Sequence, residues 1–418
     1  MRSAGKFVGI LCGLAVMAPV AANAATRADP QDFETIERGR YLTIVGDCAA
    51  CHTLVSSGHQ LAGGRPLETP FGTLLSPNIT PDPETGIGAW SDDEFVNALT
   101  KGTGRHGTRL YPAMPYTYMT KVSREDALAI RAYLNTLPAV RNDVNPNQLP
   151  FPFNMRWIMA VWDALFFKPA PFQPVHDKSP EWNRGAYLAE GLAHCGLCHT
   201  PKNFLGGDKT DQRLQGYALQ GWFAPDITND KRRGLGSWSV DDIAEYLKTG
   251  HNQTTAATGL MSETVSLSTS HMTDADLKAI AVYFKDQAGQ QKAQNDTRSD
   301  PKDATMTMGK NIFADECSGC HTPNGKGTPN MFPSVNGSAV VQQSDPTTML
   351  RVVLRGARSV GTDKAPTAPA MPAFSWYLND EQVAAVVTYV RNAWGNSAPP
   401  VSADDVAKTR NDLSKRSD

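Results

Sequence analysis

Cys48-Ala-Ala-Cys51-His52, Cys195-Gly-Leu-Cys198-His199 and Cys317-Ser-Gly-Cys320-His321 repeat one pattern, Cys-x-x-Cys-His, three times along the chain. That pattern is the attachment signal of c-type haem, in which two thiols form thioethers to a porphyrin and the adjacent imidazole binds the iron. In a short helical turn the two Cys stand three apart and the His four after the first, so all three side chains share a face. The sequence predicts three haems c, held covalently by Cys48, Cys51, Cys195, Cys198, Cys317 and Cys320 and ligated on one side by His52, His199 and His321. A zinc site at each Cys pair needs two more Cys or His ligands, and the remaining cysteine is Cys12, in an N-terminal segment expected to be removed. A thioredoxin-like pair explains neither the recurrent His nor the lack of a strand-helix-strand pattern.

The N-terminus assigns a compartment. Arg2 and Lys6 precede an apolar run from Phe7 to Val20 and a small-residue site, Ala22-Asn23-Ala24. Residues 1–24 read as a secretory signal, and the run is short for a membrane anchor. A periplasmic mature chain starting at Ala25 is expected. The full chain has 418 residues with 40 basic and 42 acidic side chains. That length suits about three domains, and the charge balance argues against a nucleic-acid partner.

Two of the haem segments are copies of one design. Arg38-Gly-Arg-Tyr-Leu42 and Arg184-Gly-Ala-Tyr-Leu188 precede the first and second motifs. Ser76-Pro-Asn-Ile-Thr80 is answered by Ala224-Pro-Asp-Ile-Thr228, and Gly86-Ile-Gly-Ala-Trp-Ser91 by Gly234-Leu-Gly-Ser-Trp-Ser239. Such self-similarity signals duplication. The third segment keeps Gly309 but lacks these boxes. Each unit closes with a helical pattern: one capped by Ser123, then Thr273 to Lys285, then Asn379 to Trp394. The expected fold is all-α: three tandem domains of short helices around haem, with almost no sheet. The boundaries read 25–138, 181–285 and 307–397, with linkers at 139–180 and 286–306 and a polar tail at 398–418 that is flexible or docked on the surface. Tyr41, Tyr187, Tyr133, Tyr283 and Tyr389 are expected to pack where the helices cross.

The second axial ligand separates carrier from catalyst, since Met raises the potential and closes the iron, whereas an open face binds substrate. Met114 in Tyr-Pro-Ala-Met-Pro-Tyr and Met371 in Ala-Pro-Ala-Met-Pro-Ala sit on loops stiffened by proline. Met261 follows His199 at the same spacing that Met114 follows His52. Its competitor, Met272, precedes a helix cap where packing is the default. Met114, Met261 and Met371 are therefore the expected distal ligands. His59, His106, His176, His194, His251 and His271 are read as structural or exposed, with His194 the one to check against a haem propionate. No catalytic constellation surrounds them.

The linker contains Asn154 to Phe167, an apolar segment too short to span a bilayer, for which an amphipathic helix is expected. It has three destinations: the interior, a partner subunit or the membrane interface.

Together the three motifs, the Tyr-Pro-Ala-Met-Pro box, the duplicated Ile-Thr and Trp-Ser boxes, Met155-Arg-Trp157 and the Arg391-Asn-Ala-Trp-Gly-Asn396 ending resemble the trihaem cytochrome c subunits of bacterial membrane-bound dehydrogenases. That group includes the cytochrome subunits of quinoprotein alcohol dehydrogenase and of flavin-dependent gluconate, sorbitol and fructose dehydrogenases. The resemblance implies an electron-transfer subunit on the periplasmic side of the cytoplasmic membrane, with no substrate-oxidising site of its own. A large dehydrogenase subunit of pyrroloquinoline quinone, flavin or molybdenum type would oxidise an alcohol, sugar, sugar acid or aldehyde, and the haems would pass electrons to ubiquinone. Some relatives carry a hydrophobic C-terminal anchor; the tail here is polar, so attachment by 154–167 or through the partner is expected. The alternatives are a free-standing multihaem carrier and a haem enzyme with one open iron.

Overall fold

Three times, a helix leading into a Cys-x-x-Cys-His motif crosses the helix that closes its unit, with a glycine at the crossing. Phe33–Val45 crosses Arg124–Leu134, Pro180–Tyr187 crosses Asp274–Lys285, and Ala304–Ile312 crosses Asp380–Asn392. A Cβ on Gly39 would lie 1.8 Å from the Ala129 carbonyl oxygen; on Gly185, 1.9 Å from that of Ala279; on Gly309, 2.1 Å from that of Ala385. Only a bare Cα permits this approach. This computed structural model describes residues 1, 32–289, 299–300 and 302–416; apart from Met1 the expected signal at 1–24 lies outside them, as does part of the 286–306 linker.

The closing helices start where the sequence places them. Ser123, Thr273 and Asn379 each accept the backbone N–H three residues on, at 3.1, 3.2 and 2.9 Å. Each cap satisfies a donor that the helix leaves orphaned. The Trp-Ser boxes prove to be caps as well: Ser91 and Ser239 open Asp92–Lys101 and Val240–Thr249 with reciprocal capping boxes to Glu94 and Asp242.

Units one and two pack together, because one apolar core runs through both. It joins Leu42, Val45, Ile130 and Leu134 to Leu188, Leu192, Leu277 and Ile280. Each fully buried aliphatic side chain contributes roughly 1.5–3 kcal/mol. The seam also carries a reciprocal polar exchange. Arg38 binds Asp126 in its own unit, and Tyr187 of unit two donates to the same carboxylate at 2.5 Å. Arg184 binds Asp276 through two bonds of 2.8 Å, and Tyr41 of unit one donates to it at 2.6 Å. Tyr41 and Tyr187 therefore bridge units rather than pack at a crossing, whereas Tyr133 and Tyr389 flank the crossing glycines as expected. Unit three has its own core around Leu350, Leu354, Val383 and Val387.

The all-α expectation needs correction. Among the described residues three antiparallel ribbons are present: Pro66–Thr69 with Gly72–Leu75, Gln215–Leu219 with Trp222–Asp226, and Ala357–Arg358 with Ala370–Met371. The second turns through Gln220 and Gly221, both left-handed at φ +48° and +72°. That is the two-residue hairpin geometry matching strand twist, and Gln-Gly between two apolar runs was its signal. The linker also contributes, as Asn147–Gln148 adds a third strand to the first ribbon.

The linker helix is Ile158–Phe166, shorter than the expected 154–167. Trp162 and Asp163 are buried on its inner side, with Trp162 donating to the Leu205 carbonyl at 2.9 Å. Trp157, Val161 and Leu165, four apart along it, are more than half exposed. The interior thus takes one side only. The tail is docked: Ala403–Ser414 forms a helix that buries Val406 and Leu413 in the unit-three core. Among the described residues no helix is long and apolar enough to cross a membrane.

Gly185→Ala places a methyl where the Ala279 carbonyl sits and should cost about 3 kcal/mol, read as a lowered urea midpoint. Burial pushes the Asp276 carboxyl up, but Arg184 and Tyr41 outweigh it and hold it below its ordinary 3.8. Its stabilisation is complete above that value and drains as pH falls through the lower folded value. Asp276→Asn should be less stable near neutrality, with the deficit closing below pH 3.8.

Candidate functional site

Each Cys-x-x-Cys-His motif forms one turn of helix ending at its histidine: Cys48–His52, Gly196–His199 and Ser318–His321. All three imidazoles make the same contact. Nδ1 of His52 lies 2.8 Å from the Pro77 carbonyl, that of His199 2.7 Å from Pro225, and that of His321 2.9 Å from Pro333. A carbonyl only accepts, so Nδ1 carries the proton and a neutral ring presents the Nε2 lone pair. Burial holds all three rings below the ordinary histidine range, favouring that neutral form. An Nδ1–H held by a backbone carbonyl, with Nε2 left as a base, is the arrangement that orients an imidazole on a metal.

The prolines were not among the residues singled out from sequence, although two stand inside recognised boxes. In Ser76-Pro-Asn-Ile-Thr80, the Asn78 side chain accepts from the Thr80 N–H at 2.9 Å and hydroxyl at 2.8 Å. Asp226 does the same for Thr228 at 2.7 and 2.6 Å. This Asx turn fixes the backbone directly after the proline. The Gly-Ile-Gly and Gly-Leu-Gly boxes pack on it, Ile87 donating to the Thr80 carbonyl at 2.9 Å and Leu235 to that of Thr228 at 2.7 Å. Unit three reaches the same carbonyl placement from a shorter loop, with Ser334 donating to the carbonyls of Gly325 and Asn336.

The thiols fit a macrocycle better than an ion. Burial pushes Cys48, Cys51, Cys195 and Cys317 up to about 12 and Cys198 to about 11, which favours their neutral thiol form. Among the described residues no three His, Cys, Asp or Glu side chains converge as an ion site. Paired thiols, each pair beside an imidazole with a free Nε2, suit thioether attachment of haem.

The three expected methionines occupy unlike settings. Met114 lies in a loop where its N–H donates to the Tyr111 carbonyl at 3.0 Å and its carbonyl accepts from Tyr116 at 2.8 Å. Tyr116 is fully buried and donates at 2.7 Å to Asp163, so the linker helix braces this loop. Met371 ends the short ribbon opposite Ala357. Met261 stands in the first turn of the helix Leu260–Leu267, packed among Val265, Ala257 and Val360. Met272 is buried in the shared core, a packing residue. His194 donates Nε2–H to the Gly46 carbonyl at 3.3 Å, across the seam between units. His59, His106, His176 and His271 are exposed, and His251 is buried with Nδ1 3.1 Å from the Thr249 carbonyl.

The cytochrome c family model matches residues 36–138 and 306–394. The chain is 40% identical to the gluconate 2-dehydrogenase cytochrome c subunit of Pantoea cypripedii, over 93% of this chain and 92% of that one. It is 37% identical to the cytochrome c subunit of the quinone-dependent alcohol dehydrogenase of Gluconobacter oxydans strain 621H, over 92% and 84%. It is 36% identical to the fructose dehydrogenase cytochrome subunit of Gluconobacter japonicus, over 90% and 82%.

Replacing Cys48 and Cys51 together by Ala should remove one covalent porphyrin and leave the others. Intact mass should fall by one haem beyond the substitutions, and haemochrome absorbance per chain by about one-third for three motifs.

Proposed function

We propose, from the premise that the chain belongs to the family of dehydrogenase cytochrome c subunits, that it is the electron-transfer subunit of a membrane-bound dehydrogenase complex. It takes electrons from a catalytic subunit that oxidises an alcohol, sugar, sugar acid or aldehyde and delivers them to ubiquinone. The observation that carries this reading is the imidazole-to-proline-carbonyl bond, made three times on three Cys-x-x-Cys-His turns. When bound, each haem c supplies a one-electron iron couple whose potential its axial ligands set.

The chain's own residues do the rest. Cys48 and Cys51, Cys195 and Cys198, and Cys317 and Cys320 fasten the three porphyrins. His52, His199 and His321 are the proximal ligands, each oriented by its proline carbonyl. Met114, Met261 and Met371 are the distal ligands, and with both faces taken the chain moves electrons rather than turning over a substrate. The complex sits on the periplasmic side after export, attached peripherally. The exposed stripe of Trp157, Val161 and Leu165 supports attachment through a partner or the membrane interface.

Purification in mild detergent from native membranes should bring down a large dehydrogenase subunit with this chain. That subunit's substrate should reduce the haems, and a ubiquinone analogue should reoxidise them. A red chain recovered alone from the soluble fraction would favour a free carrier instead. Met114→Ala and Met371→Ala should each lower the potential of one haem with covalent attachment intact, measured by spectroelectrochemical titration.

A further inference from the structure

Met261 lacks the proline that follows Met114 and Met371, and it stands on a helix rather than a stiff loop. Something else must hold it. The helix Leu260–Leu267 is gripped from both neighbouring units. From unit one, the Arg65 guanidinium forks onto Glu263, two residues beyond Met261, with its Nη2 2.9 Å from Oε2 and its Nη1 paired to Oε1. The same Nη1 donates to the carbonyl of Ala50, inside the Cys48–His52 turn. Ser268, just past the helix, donates to the Val45 carbonyl at 3.3 Å. From unit three, Val360 joins Val265 in the apolar cluster on which Met261 packs, and it presses on Gly250, where a Cβ would lie 2.0 Å from it. At the helix start, Gly259 lies flat against the Trp222 indole, over whose ring Arg351 of unit three sits at 4.4 Å.

We propose that Arg65 is a positioning residue for the neighbouring unit: its fork to Glu263 holds the helix that carries Met261 in place for the unit-two iron. The inference rests on Met261 being that iron's distal ligand. Both partners are only about 30% exposed, so the pair is partly shielded from solvent and its fork fixes direction as well as distance. One guanidinium thus ties the attachment turn of the first haem to the ligand helix of the second.

The test uses the full three-haem chain and reads the far-red charge-transfer absorption of methionine-ligated ferric haem, together with the three potentials. Met261→Ala should abolish about one-third of that absorption and lower one potential. Arg65→Gln and Glu263→Gln should weaken the same component and lower the same potential, with three haems still bound. Arg65→Lys, which keeps a charge near Glu263 but loses the fork, should retain only part of both signals. If Met261→Ala acts as stated while Arg65→Gln and Glu263→Gln leave absorption and potentials unchanged, the positioning role is overturned and the ligand assignment stands. If Met261→Ala changes neither signal, the ligand assignment falls and the proposal with it.

Discussion

A backbone-to-backbone contact, repeated at Gly39 on Ala129, Gly185 on Ala279 and Gly309 on Ala385, is the constraint from which the rest of the molecule follows. With no side chain between them, the two helices of a unit have little freedom in spacing or rotation. The leading helix of each pair runs directly into a Cys-x-x-Cys-His turn, so fixing its axis fixes where the two sulfurs and the imidazole stand. The proline carbonyl then fixes the remaining freedom of the imidazole, its rotation about its own side-chain bonds. The fold acts on cofactor geometry through these two successive restraints, one on backbone and one on a ring.

The seam between the first two units is held by the opposite kind of interaction. Asp126 and Asp276 are almost wholly buried, and an isolated carboxylate there would be costly. Each is offset by an arginine from its own unit and a phenol from the other, so separating the units would strip one strong hydrogen bond from each carboxylate. Asp163 and Tyr116 likewise hold the linker helix against the Met114 loop, and the seam brings the Leu260–Leu267 helix against the first attachment turn. Residues near one haem motif are therefore held by groups hundreds of positions away in sequence.

Much of this was legible beforehand, and the reasons are local. Cys-x-x-Cys-His and the caps at Ser123, Thr273 and Asn379 are short-range signals whose chemistry dictates their structure, whereas Gly39, Gly185 and Gly309 were visible only as members of a repeat. The Trp-Ser and Ile-Thr boxes were visible as repeats, but their purpose, a helix cap and an Asx turn behind a proline carbonyl, emerges only once His52 and Pro77 meet across 25 residues. The ribbons escaped notice because strands of two to five residues leave little alternation to read. The shared core was hidden for another reason: nothing in periodicity says that apolar residues of two units, such as Leu42 and Leu188, pack into one core. The tail was judged by its charges, while its docking depends on Val406 and Leu413, seven apart on one helical side.

The reciprocal exchange of Tyr41 and Tyr187 has an architectural consequence. A contact of this type is isologous: each half uses the same patch, so the pair closes on itself and offers no further copy of that patch to a newcomer. The third unit could not join by the same rule, and its residues show that it does not. At the positions one before, and two after, its crossing glycine stand Met308 and Asn311, and Gln382 occupies the carboxylate position. It meets the second unit instead through Thr348 and Arg351 on the ribbon edge at Phe223 and Trp222. The array is thus a closed couple with an appended member, not an open series, and lengthening it by one more copy would require inventing a new face.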